Sequence, residues 1–135
     1  MSSPVVLFDV LGLATYEGFN KDEEQKLDDA LDEAEKILRE CRGNCKINNI
    51  DDKSFEFMIH MMKTSTYIKG GKHFTFAVTD ALQHKVTLYA DAFKPNKCCS
   101  LPSTLAHESV HLILQPEDQA QNVESECFGC NMGKH

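Results

Sequence analysis

Ser103-Thr104-Leu105-Ala106-His107-Glu108-Ser109-Val110-His111-Leu112 sets two histidines four residues apart, with a glutamate directly after the first. Residues i and i+4 lie one turn above each other on an α-helix, so both imidazoles can point at one ion. Glu108 can then reach a water in the ion's open position. Zinc lowers the pKa of such a water to about 7, and a neighbouring carboxylate can take its proton and pass it to a leaving amine. Pro102 suits the first turn of this helix, which should run to about Gln115 and stop at Pro116. Leu105, Ala106, Val110, Leu112, Ile113 and Leu114 surround the motif with apolar surface, so the helix should be buried on most sides. Buried polar groups without partners cost several kcal/mol, and a metal supplies those partners. The plainer alternative is a histidine pair on a partly solvated helix.

Two histidines do not complete a catalytic zinc site, which uses three protein ligands plus water. Downstream candidates are Glu117, Asp118, Glu124 and Glu126, with Cys127, Cys130 and His135 behind them. Glu117 and Asp118 follow Pro116 immediately and read as first-turn acids of a last helical stretch, favourable against the helix dipole. Glu124 lies one helical stretch later, with enough chain for that stretch to turn and face the motif. Glu126 would point about 200° around the helix from Glu124, so the two cannot both serve. The expected order is Glu124 first, Glu126 next, and a cysteine or His135 last.

Working outward, Lys21 to Glu40 repeats apolar residues at helical spacing: Leu27, Ala30, Leu31, Ala34, Ile37, Leu38 and Cys41. Asn20 or Asp22 can cap this helix and Gly43 can end it. Phe55 to Met62 reads as a second helix with Phe55, Met58, Ile59 and Met62 on one face; the Met58, Met61, Met62 cluster reads as core filling. His73 to Thr79 and Lys85 to Ala90 alternate apolar with polar residues and read as strands. The five residues between them are of hairpin length, which predicts antiparallel neighbours. Glu117 to about Cys130 is the last helical stretch. Neither a repeat nor a long linker divides the 135 residues, so residues 1–135 read as one domain.

The formal net charge of −7 is concentrated in Lys21 to Glu40, which carries nine acids against four bases. That pattern reads as the solvated face of an amphipathic helix. With no basic stripe, nucleic-acid binding has little electrostatic support. No run approaches the roughly 18 apolar residues of a membrane span. Pro4 to Ala14 is apolar but is interrupted by Asp9 and not preceded by a base, so it does not read as a secretory signal.

The six cysteines fall as Cys41 and Cys45, Cys98 and Cys99, Cys127 and Cys130. Local clustering suggests disulfides in an oxidising destination, with fifteen possible connectivities. A link from Cys98 or Cys99 to Cys127 or Cys130 would clamp the motif helix to the last helix. A structural zinc on those four is disfavoured because adjacent cysteines make a poor half-site; free thiols in a reducing cytosol are the other alternative. Tyr89 ends a strand and could stabilise an oxyanion, but a strand tyrosine more often packs. His60, His73 and His84 lack ligand spacing.

Ser103 to Leu112, followed by Glu124-Ser125-Glu126-Cys127-Phe128-Gly129, resembles the zincin metallopeptidases. More narrowly it is similar to small gluzincin-like domains at the C-termini of bacterial polymorphic toxins, including type VI secretion effectors. There, a strand like Val86-Thr87-Leu88-Tyr89-Ala90-Asp91 precedes the motif helix. The elongated metzincin signature, with a third histidine six residues after the second, is absent: position 117 is Glu. The resemblance covers about residues 85–130. It implies His107 and His111 as ligands of one catalytic zinc, Glu108 as general base, and a downstream glutamate, Glu124, as third ligand.

The expectation is therefore an α+β, zincin-like domain with N-terminal helices, a small mostly antiparallel sheet, the motif helix and a C-terminal ligand-bearing helix. Its expected activity is zinc-dependent cleavage of peptide bonds in a protein or peptide substrate. The resemblance further implies a toxin or effector domain delivered outside the producing cell as part of a larger secreted protein, with room for a cognate immunity protein as partner. The alternatives are a non-catalytic zinc-stabilised binding module and an amidase acting on cell-wall peptides.

Overall fold

The computed structural model describes residues 13–73, 75–94 and 100–130. In chain order these form β1 (Thr15–Glu17), α1 (Lys21–Gly43), α2 (Asp52–Thr64), β2 (Thr66–Lys69), β3 (Ala77–Asp80), β4 (Lys85–Leu88), a 3₁₀ turn (Ala90–Phe93), α3 (Leu101–Leu112) and α4 (Glu117–Val123). A π-turn over Glu124–Phe128 extends α4. The architecture is α+β. Among these residues no helix is long and apolar enough to cross a membrane.

The helices start where side chains can satisfy free backbone N–H groups. Asn20 accepts from the Glu23 amide at 2.8 Å while the Glu23 carboxylate accepts from the Asn20 amide at 3.0 Å, a reciprocal capping box. Asp51 accepts from the Ser54 amide at 2.7 Å at the head of α2. Along α1, Leu27, Ala30, Leu31, Ala34, Leu38 and Cys41 are buried, as the helical spacing predicts; Ile37 stays half-buried. The acidic residues Asp28, Asp29, Asp32 and Glu33 lie exposed on the opposite face. The face Phe55, Met58, Ile59 and Met62 of α2 is buried, joined by Met61.

The sheet departs from the antiparallel expectation. Its order is β1-β2-β4-β3, and both β1–β2 and β2–β4 pair in parallel. Only the β3–β4 hairpin is antiparallel, with Val78 opposite Thr87 and Thr79 opposite Val86. Sequence alternation reveals that hairpin but not β1 or β2, which are three and four residues long. The α1–α2 pair forms the crossover that parallel strands require. Tyr67 on β2 is fully buried, and its hydroxyl donates to the Met62 carbonyl.

At the centre lies α3, packed against α1, α2, α4 and β3. Every residue from Pro102 to Val110 is buried. β3 is the last strand of the sheet on the α3 side, so among the described residues its outer backbone edge has no partner strand. A disulfide joins Cys41 of α1 to Cys127 of the π-turn across 86 residues. Cys127 thus turns to α1, not to Cys98 or Cys99, which lie outside the described residues. That bond also removes Cys127 from a four-cysteine zinc site. Cys45 is free and exposed, and Cys130 is disulfide-bonded.

Candidate metal centre

The mid-helix position of the motif turns both histidines toward a cleft of about 510 Å³ between β3 and α3. His107 is buried and His111 is half-buried, and their rings lie 5.2 Å apart. Each ring is held through Nδ1. His107 Nδ1 donates to the Glu124 carboxylate, and His111 Nδ1 donates to the Gln115 carbonyl at 3.0 Å. Both Nε2 atoms are thereby turned the same way, toward Glu117. Its Oε1 lies 2.8 Å from His111 Nε2 and 3.1 Å from His107 Nε2.

One donor atom from each of His107, His111 and Glu117 falls within 4.8 Å of the other two. Two imidazole nitrogens and one carboxylate oxygen suit a borderline divalent cation. The fixed Nδ1 partners supply the outer hydrogen bonds that ligating histidines ordinarily have.

How Glu117 reaches this point is a matter of backbone. α3 ends in a Schellman turn: the Leu114 amide donates to His111 O at 2.9 Å and the Gln115 amide to Val110 O at 3.2 Å. Leu114 adopts φ +63°, the left-handed conformation that usually calls for glycine. The chain reverses there, Pro116 stands at the N-cap of α4, and Glu117 returns over the two rings.

Glu124 occupies a different place from the one expected of it. It is almost wholly buried behind His107, with Oε2 accepting from Ser103 Oγ at 2.6 Å and lying 3.4 Å from Cys130 Sγ. Its carboxylate fixes the His107 ring from the Nδ1 side and takes no part in the cluster of donor atoms. Glu126 is exposed, and His135 lies outside the described residues. The two glutamates do face different surroundings, one buried and the other in solvent, on a π-turn and not on the α-helix expected. In the sequence Glu117 reads as a first-turn acid set against the helix dipole, and that reading hides its place in the cluster. Its spacing of six from His111 was the available signal.

Glu108 lines the cleft beside the cluster, and Thr79 Oγ1 donates to its Oε1 at 2.6 Å. Burial raises the Glu108 carboxyl above its ordinary range, against the pull of Thr79 and of the two histidines. Burial would lower His107, but the bond to Glu124 and the charges of Glu124, Glu108 and Glu117 prevail and lift it to about 9. Partial burial opposes ionisation of Glu117, yet the His107 and His111 contacts outweigh it and hold that carboxyl below its usual value.

Tyr89 does not line the cleft; its ring packs over Gly70 and stacks on His73 at 4.6 Å. His60 is half-buried and His84 sits exposed in the β3–β4 loop, and neither is a member of the cluster. No family model matches the chain, and comparison with curated proteins and with solved structures likewise gives no match.

Proposed function

We propose that the protein is a zinc-dependent hydrolase of peptide bonds, with His107, His111 and Glu117 as metal ligands and Glu108 as general base. The observation that carries this reading is the convergence of two Nε2 atoms and one carboxylate oxygen on one point, with a buried, non-ligating carboxylate beside it in a cleft. A purely structural metal site would have no use for Glu108 next to an open position. When bound, zinc would acidify a water and polarise a substrate carbonyl.

The chain's own groups do the rest. Glu108 Oε1 is occupied by Thr79, leaving Oε2 to accept a proton from the attacking water and return it to the leaving nitrogen. Glu124 and the Gln115 carbonyl keep the two imidazoles in the tautomer whose Nε2 is free to ligate. The edge of β3, which pairs with no further strand among the described residues, forms one wall of the cleft, so an extended peptide can add to it as a further strand, its backbone held beside Glu108. The resemblance to bacterial toxin peptidase domains fits a small self-contained hydrolase carried by a larger secreted protein.

Metal analysis of the purified protein, with a Glu108→Gln variant, tests this. One zinc per chain in both proteins is expected, together with a loss of at least about a hundredfold in peptide hydrolysis in the variant. Zinc binding without any hydrolysis by the parent would support the binding-module alternative instead.

A further inference from the structure

Thr79 and Ala77 lie on the face of β3 that looks toward α3, whereas Val78 between them is exposed. Successive strand residues alternate in this way, so the register of β3 decides which hydroxyl meets the helix. Ala77 is buried, and the Thr79 hydroxyl reaches Glu108 Oε1 at 2.6 Å. No other side-chain hydrogen bond to Glu108 occurs among the described residues, although the residue is only 6% exposed. A carboxylate on a helix has free torsions of its own; one short bond from a neighbouring strand removes that freedom.

We propose that Thr79 is a positioning residue: it pins one oxygen of the general base to the strand that receives the substrate. This rests on the hydrolase reading above and adds to it a coupling between docking and base. Thr79 stands on the edge strand itself, paired on its inner side with Val86 of β4 and, among the described residues, with no strand on its outer side. A peptide that adds to that edge orders β3, and through the Thr79 hydroxyl it orders the plane of the Glu108 carboxylate. Oε2 then faces the cleft, where the proton must be taken. The hydroxyl exchanges no proton in the reaction, and its contribution is orientation.

The test compares Thr79→Val, which keeps shape and β-branching but has no hydroxyl, with Thr79→Ser, which keeps the hydroxyl. Thr79→Val is expected to lower kcat ten- to a hundredfold while KM, zinc stoichiometry and melting temperature stay near parent values. Thr79→Ser is expected to recover most of kcat. Equal kcat in Thr79→Val and parent would overturn the proposal. So would parallel losses in zinc content and melting temperature in both variants, which would mark Thr79 as merely structural. A second readout needs no turnover: the Glu108 side-chain carboxyl ¹³C resonance of metal-free protein. It should move in Thr79→Val and return in Thr79→Ser. A resonance that ignores the hydroxyl sinks the proposal by itself, whereas a parent protein without activity but with the expected shifts would count only against the hydrolase reading.

Discussion

Glu124 accepts a hydrogen bond from Nδ1 of His107, the ring nitrogen on the far side from Glu117. One imidazole is thus held between two carboxylates with different tasks: Glu124 on its Nδ1 side, almost wholly buried where it lines the cleft, and Glu117 on its Nε2 side, largely exposed. The buried one sets the orientation of the ring. The exposed one is placed to share an ion with it.

This division of labour predicts a graded series. Glu117→Gln should weaken zinc binding by at least about a hundredfold, as expected for a lost charged ligand. Glu124→Gln should cost about ten- to a hundredfold, the usual worth of an outer partner of a ligand histidine. Glu126→Ala should bind like the parent, because that side chain is exposed. Competition with a chromophoric chelator ranks the three, and a Glu124 effect exceeding that of Glu117 would reverse their roles.

Zinc uptake should release a proton. In metal-free protein His107 titrates at about 9, raised from 6.5, so at neutral pH it carries a proton that a metal must displace. Apparent affinity should rise with pH and level off above about 9. For the metal-free fold the sign is opposite: a raised pKa contributes stability that is complete below 6.5 and is lost as pH rises through about 9. Calorimetric titration in two buffers of different ionisation heat counts the protons released, and none at pH 7 would refute the assignment.

Leu114 carries a backbone conformation that costs a β-carbon-bearing residue about 1–2 kcal/mol, and its side chain is 73% exposed, so packing returns little. Leu114→Gly should therefore stabilise the fold by about 1 kcal/mol in urea denaturation, after the added chain entropy of glycine is subtracted. Leu114→Ala should give no such gain. If both variants destabilise equally, the side chain and not the backbone governs this turn.

Breaking Cys41–Cys127 should cost about 4.6 kcal/mol of stability in the chain-entropy description, since the bond closes a long loop. The same bond anchors the π-turn that begins at Glu124. A Cys41→Ser, Cys127→Ser double variant should consequently lose zinc faster on dialysis as well as unfold at lower urea. Unchanged zinc retention would show that Ser103 and His107 hold Glu124 without help from the crosslink.

Local chemistry made the helices and the motif legible from sequence. Leu27, Ala30, Leu31 and Ala34 repeat with the period of a helix because one face must be buried, and that period survives in any tertiary setting. The pair His107 and His111 reads the same way: four residues on one helix place both rings on one side wherever the helix lies. The β3–β4 hairpin is equally local. The parallel pairing of β1 with β2 joins Thr15 to Thr66 through two intervening helices, and strands of three and four residues carry too little alternation to announce it. Which of Glu117, Glu124 and Glu126 meets the two histidines is only weakly marked in the sequence, by the spacing of six from His111 to Glu117, for a related reason. It depends on a left-handed Leu114 reversing the chain and on a disulfide drawing the π-turn toward α1, and neither has a local sequence signature. Residue identity set which atoms could bind a metal; the packing of α4 against α3 decided which of them meet.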